Sequence, residues 1–173
     1  MEGRERVSGV TVSVHDVAAY ILDKLGALST WKLQKLVYYA QAWHLVWDEE
    51  PLFIEKIQAW ANGPVVYELY DAYRGRFSVS TWPMGDSTRL SPSERESVDA
   101  VLQTYGELTG RKLSYLTHSE DPWRDARGNL PPTVRSNGEI APEALVDYYG
   151  GLDATGEGEP VGDLDWESWE DGE

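Results

Sequence analysis

The chain has 173 residues, no cysteine, and 30 acidic against 15 basic side chains, for a formal charge of −15. That length suits one domain able to bury about 70% of its unfolded-chain surface, so it needs no disulfide, and the missing thiols exclude cysteine nucleophiles and cysteine-ligated zinc. The acidic excess disfavours nucleic acid as a direct partner, because phosphates require clustered Lys and Arg, and favours fast association with a basic protein.

No apolar segment follows the first residues, and no run approaches the ~18 apolar residues of a membrane span, so the sequence predicts a cytoplasmic protein with no membrane contact. The charge is uneven. Beyond Arg135 there is no Lys or Arg, while the stretch from Gly151 onward carries nine carboxylates and five glycines. The expected organisation is an N-terminal extension (1–12), a domain (13–150) and an acidic, Gly-rich flexible tail (151–173).

Ser13 and Asp16 predict a capping box for a first helix, with Val14, Val17, Ala18, Ile21 and Leu25 on one face and Gly26 as its stop. Ser29 or Thr30 caps a second helix over about 30–47. Its main stripe is Leu33, Leu36, Val37, Ala40, Trp43 and Trp47, and Tyr38, Tyr39, Leu45 and Val46 make it apolar nearly all round. Such a helix belongs at the centre of a fold. Residues 52–60 alternate, predicting a strand with Ile54 and Trp60 on one face and Phe53 and Ile57 on the other. Asn62-Gly63-Pro64 then turns into a helix with Pro64 at its first position and Val66, Leu69, Tyr70 and Tyr73 as its stripe.

Residues 77–81 predict a second strand pairing with 52–60. Ser91-Pro92-Ser93-Glu94 starts a helix running toward Leu108, and a shorter helix covers 111–117. Asp121-Pro122 opens one more turn ending at Gly128, an extended piece surrounds Ile140, and Pro142 begins a last helix with Leu145, Val146 and Tyr149. The sum is an α+β class, mainly α: a compact bundle of about six helices around the central hydrophobic helix, with a small two- or three-stranded sheet.

No nucleophile elbow, phosphate loop or dinucleotide fingerprint is present. His118, Glu120 and Asp121 share a polar loop, where a metal or a general base is one reading. The other is structural, with short side chains satisfying two adjacent helix ends and Trp123 as a plug. His44, on the apolar helix, reads as a core histidine with bonded nitrogens. Lys32 and Lys35, three apart, read as a solvated helix edge. No cofactor is expected, and the chain reads as a non-enzyme.

The region from Trp31 to Tyr73 holds ten of the chain's twenty aromatic residues. Its exposed members, taken to be Trp47, Trp60, Tyr70 and Tyr73, are the candidate anchors for a protein partner. In the tail, Trp166 and Trp169 are further anchors, with Asp163, Asp165, Glu167 and Glu170 steering toward a basic surface.

The run K-L-Q-K-L-V-Y-Y-A-Q-A-W-H-L (32–45), then P-L-F (51–53), A-W-A-N-G-P-V-V (59–66), E-L-Y (68–70) and L-T-H-S-E-D-P-W-R-D-A-R (116–127), resembles the Panacea antitoxin domain. That family includes phage-associated GepA-like proteins and the SocA-type proteolytic adaptor. On this resemblance Leu33, Lys35, Leu36, Tyr38, Tyr39, Gln41, Trp43, His44, Gly63, Pro64, Val65, Tyr70, Thr117, His118, Pro122 and Trp123 are fold-defining motif positions. It implies a bacterial antitoxin that binds and neutralises a protein toxin encoded nearby; the family is paired with many unrelated toxins, a number of them translation inhibitors. The alternative it implies is an adaptor that delivers its client to a AAA+ protease.

Overall fold

A computed structural model describes residues 11–155, and α-helices at Val14, Thr30, Pro92 and Gly110 each follow a Ser or Thr whose side chain caps them. The described residues form, in order, α1 (Val14–Leu25), β1 (Leu28–Ser29), α2 (Thr30–Asp48), β2 (Ile57–Trp60), β3 (Gly63–Val66), α3 (Tyr67–Tyr73), β4 (Ser78–Val79), α4 (Pro92–Tyr105), α5 (Gly110–His118), α6 (Asp121–Arg127), β5 (Glu139–Ile140) and α7 (Pro142–Thr155). A short 3-10 turn spans Ser87–Arg89. Both capping boxes form: Ser13 with Asp16 on α1, and Ser91 with Glu94 on α4, where Pro92 opens the helix. Each satisfies N–H groups that a helix start otherwise leaves unpaired.

The all-round apolar helix is the hub. Around α2 pack α1, α3, α4, α5, α7 and β3, and Leu33, Leu36, Val37, Tyr39 and Ala40 are wholly excluded from solvent. His44 is buried with Nδ1 2.8 Å from Ser97 Oγ and Nε2 3.8 Å from Asp48, as a core histidine requires.

Two glutamines seven residues apart on α2 do the work of missing strand neighbours. Gln41 accepts from the Leu52 and Phe53 N–H groups at 2.7 and 3.4 Å and donates to the Phe53 carbonyl at 2.7 Å. Gln34 accepts from the Val66 N–H at 2.9 Å and donates to the Val66 carbonyl at 3.1 Å. A primary amide carries both donor and acceptor, so it can pair with both backbone groups of one buried residue. The chain on either side of the β2–β3 hairpin is thereby clamped to the central helix.

The sheet is antiparallel in the order β3–β2–β5, with Ile57 opposite both Val66 and Ile140, and Trp60 opposite Gly63. Three expectations are corrected. First, strand geometry covers only 57–60: Gln41 captures the backbone at 52–53, and the chain then bends so that Ile54 is 69% exposed and does not share a face with Trp60. Second, residues 78–79 pair with β1, with Leu28 opposite Val79, and not with the 52–60 segment. Third, Pro64 lies inside β3 and not at a helix start; on an edge strand its missing N–H costs nothing, and α3 begins three residues later at Tyr67.

Candidate functional site

Four of the family-motif residues, Lys35, Thr117, His118 and Trp123, form a largely buried platform beneath the hairpin. Lys32 and Lys35, expected as a solvated edge, part company. Lys32 donates to the Gly106 carbonyl at 2.6 Å, whereas Lys35 is 1% exposed and reaches only the Pro64 carbonyl, at 3.5 Å. A helix surrounded on most sides leaves no wet face at position 35. Burial lowers the Lys35 ammonium to about 7. Gly63 sits over it at φ +121°, and a Cβ there would lie 2.5 Å from Lys35 Cε and 3.2 Å from Thr117 Oγ1. Only glycine lets the hairpin close on the lysine.

The polar loop divides its three candidate ligands among different tasks. His118 stacks on Trp123 with ring centroids 4.0 Å apart, and its Nε2 is buried without a partner. Burial first, then Lys35 and Arg127, lower its ring to about 4, so it is neutral near pH 7. Glu120 has different partners: its Oε1 accepts from Tyr39 at 2.8 Å and Tyr149 at 2.6 Å, and burial raises this carboxyl to about 7. Asp121 lies 3.8 Å from Arg124. Among the described residues no group of three or more acidic or histidine side chains is placed to hold a metal.

From this platform α6 grips β2. Trp123 Nε1 donates to the Trp60 carbonyl at 2.7 Å, and Arg127 donates to the carbonyls of Ala59, Pro131 and Val134 at 3.2, 2.7 and 2.5 Å. The hairpin tip is held as well, since the Asn62 carbonyl accepts from Ser114 at 2.6 Å. Everything beneath the hairpin is therefore fixed.

Above it lies an open groove of about 700 Å³, walled by Trp60, Tyr67 and Tyr70 on one side and Arg135 and Asn137 on the other. The Trp60 and Tyr70 rings meet edge to face at 4.9 Å, and Tyr67 lies 5.9 Å from Tyr70. Hydrogen bonds hold the rings in place: Trp60 Nε1 donates to Gln58 at 2.7 Å, and Arg74 donates to the Tyr67 hydroxyl at 2.9 Å while lying over Tyr70. Aromatic faces presented rigidly, with amides and a guanidinium beside them, suit recognition of a polypeptide by side-chain contacts. Pairing with an added strand does not suit this site, because Gln34 already occupies the Val66 backbone on the β3 edge.

Of the expected anchors, Trp60 and Tyr70 come together in this groove. Trp47 is 42% exposed but stacks on Trp43 at the end of α2 and is not part of the groove wall. Tyr73 does not fit an exposed anchor: it is 9% exposed, accepts from Gln34 at 3.3 Å and packs edge-on to Trp82. The tail residues Asp163, Asp165, Trp166, Glu167, Trp169 and Glu170 lie outside the described residues. Sequence reasoning passed over Tyr67, although its spacing of three from Tyr70 places both on one helix face. Arg135 and Asn137 carried no local signal, since the strand pairing of β5 brings them there.

No solved structure gives a significant match. The chain is 31% identical over 140 residues to Antitoxin SocA of Caulobacter vibrioides (strain NA1000 / CB15N), spanning 71% of this chain and 74% of that relative. The family model described as "Antitoxin SocA-like, Panacea domain" matches residues 33–124, which run from the hub helix through the His118 loop and α6, so the chain belongs to the SocA-like Panacea domain family.

Proposed function

We propose that this protein is an antitoxin that neutralises a cognate protein toxin by binding it directly, without catalysis, and that the Trp60–Tyr67–Tyr70 groove carries the contact. The observation behind this reading is the groove itself: three aromatic rings packed on one another beside a clamped hairpin, two of them, Trp60 and Tyr67, held by hydrogen bonds, in a family whose model carries the antitoxin name. Aromatic side chains with locked rotamers lose little entropy on binding and dominate interface energetics. An interface of ~800 Å² per partner fits on one face of a domain this size. The formal charge of −15 supports a basic toxin, drawn in by long-range attraction. The acidic tail, with Trp166 and Trp169, is proposed to strengthen that capture.

The test is co-expression with the protein encoded by the adjacent reading frame. Growth rescue by the full chain, lost when Trp60 and Tyr70 are both replaced by alanine, is the expected result. Rescue that survives this double change removes the groove from the contact. The toxin's half-life separates two modes of action. It is expected to be unchanged or longer when the antitoxin is present; a half-life shortened in a manner dependent on a AAA+ protease replaces sequestration with delivery.

A further inference from the structure

Two surface features of this chain match one another. The first is a knob. Phe77 is 90% exposed, the most exposed of the large apolar side chains among the described residues. Its backbone is nevertheless fixed: the Thr30 N–H donates to the Phe77 carbonyl at 2.9 Å, and the Thr30 hydroxyl lies 3.3 and 3.4 Å from the Arg76 and Phe77 carbonyls. The Arg76 N–H closes the turn on the Tyr73 carbonyl at 2.8 Å. Beside the ring, Arg76 is exposed and its guanidinium has no partner among the described residues. An aromatic ring held out in water by a rigid turn, with an exposed cation one residue before it in the chain, suits an apolar hole with an acidic rim.

The second feature is such a hole. A cavity of about 200 Å³ opens between the 51–57 segment and the start of α7, with Pro51, Phe53, Ile54, Ile57, Ile140 and Leu145 in its walls. Glu55, whose Oε1 accepts from the Val14 N–H at 3.1 Å, and Glu139 line it together with Lys56. The rim carries net negative charge, and the Lys56–Glu139 pair is loose, 3.9 Å apart with both side chains largely in water. Ile54, at 69% exposure, extends the apolar wall outward. The chain's own tail, acidic throughout, is a poor occupant of an acidic rim.

We infer that Phe77 and Arg76 of one copy of this chain dock into the Ile54–Leu145 cavity and Glu55–Glu139 rim of a second copy. Polarity and sign of charge match, and every copy carries both halves. In a closed two-fold pair each contact is made twice; otherwise the same contact propagates from copy to copy. A knob with one cation is a small interface, so association is weak and concentration-dependent. Its lining residues are distinct from those of the aromatic groove.

Sedimentation velocity of the full chain, from micromolar to near-millimolar concentration, tests this. Self-association is expected, weakened about 10–100-fold by Phe77→Ser or Ile54→Asp, as for loss of a buried aromatic contact. Both residues lie mostly in water, so the thermal midpoint of each variant stays at that of the parent chain. Arg76→Glu weakens association, and adding Glu139→Arg restores it. A parent chain that stays monomeric throughout overturns the inference, as does a Phe77→Ser protein that associates normally. Loss with Phe77→Ser but with neither Ile54→Asp nor the charge reversal removes the cavity as the receptor.

Discussion

Tyr38 and Tyr39 on α2 and Tyr67 and Tyr70 on α3 are the same residue type, in the same aromatic stretch, with opposite fates. The α2 pair is excluded from water, and its hydroxyls belong to a closed network: Tyr39 donates to Glu120, Tyr149 donates to the same oxygen, and Tyr38 meets Tyr149 at 3.1 Å. On α3, Tyr67 is 40% exposed and Tyr70 half-buried, and their rings face an open groove. A buried hydroxyl must find a partner, which ties the α2 tyrosines to the fold. The α3 tyrosines leave faces free for another protein. Changes beneath the hairpin should therefore cost stability, and changes above it should cost binding.

The sharpest break is Gly63→Val. Its Cβ would need the space of Lys35 Cε at a backbone angle that favours glycine, so a loss of about 3 kcal/mol or more in urea unfolding is expected. A loss under about 1 kcal/mol would mean that the hairpin is not clamped on Lys35. Tyr67→Ala should show the converse: about 2 kcal/mol, or ~30-fold, in toxin affinity by calorimetry, with unfolding stability changed by about 0.5 kcal/mol or less. Tyr149→Phe is milder. It takes one of two hydroxyl donors from Glu120 and should cost about 1–2 kcal/mol in stability with no change in binding.

Two of the buried titratable groups give opposite pH slopes. Lys35 falls from 10.5 to about 7 on folding, so the unfolded chain binds more protons between those values. Its contribution is complete above pH 10.5 and is lost as pH falls through about 7. Lys35→Met should flatten that rise and stabilise the protein at neutral pH. Glu120 moves from 4.5 up to about 7, so its contribution is complete below pH 4.5 and is lost as pH rises through about 7. Glu120→Gln should remove that fall. Denaturant midpoints across pH 5 to 10 would check both, and equal slopes in parent and variant would refute the corresponding burial.

Much of the fold was legible in the chain because its signals are local. Capping at Ser13, Ser29 and Ser91 requires only residues within one turn, and the all-round apolar run 33–46 has no place except the middle of a helical layer. The strand pairing was not legible. Residues 52–60 alternate well enough, but Gln41, on another element, captures the backbone at 52–53 and ends the regular geometry there. A short alternating run such as 77–81 does not name its partner, and β1 lies far from it in sequence.

Sequence by itself determined the family, the hub helix, the helix starts and the acidic character, since composition, short-range capping and periodicity are properties of the chain alone. Tertiary structure decided which of ten neighbouring aromatics face water. It took Tyr73 out of reach, set Tyr67 beside Trp60 and Tyr70, and brought Arg135 across from a distant turn. It also turned Lys35 from an expected surface charge into a buried one. Exposure depends on which elements cover a residue, and that is settled only when the whole chain has packed.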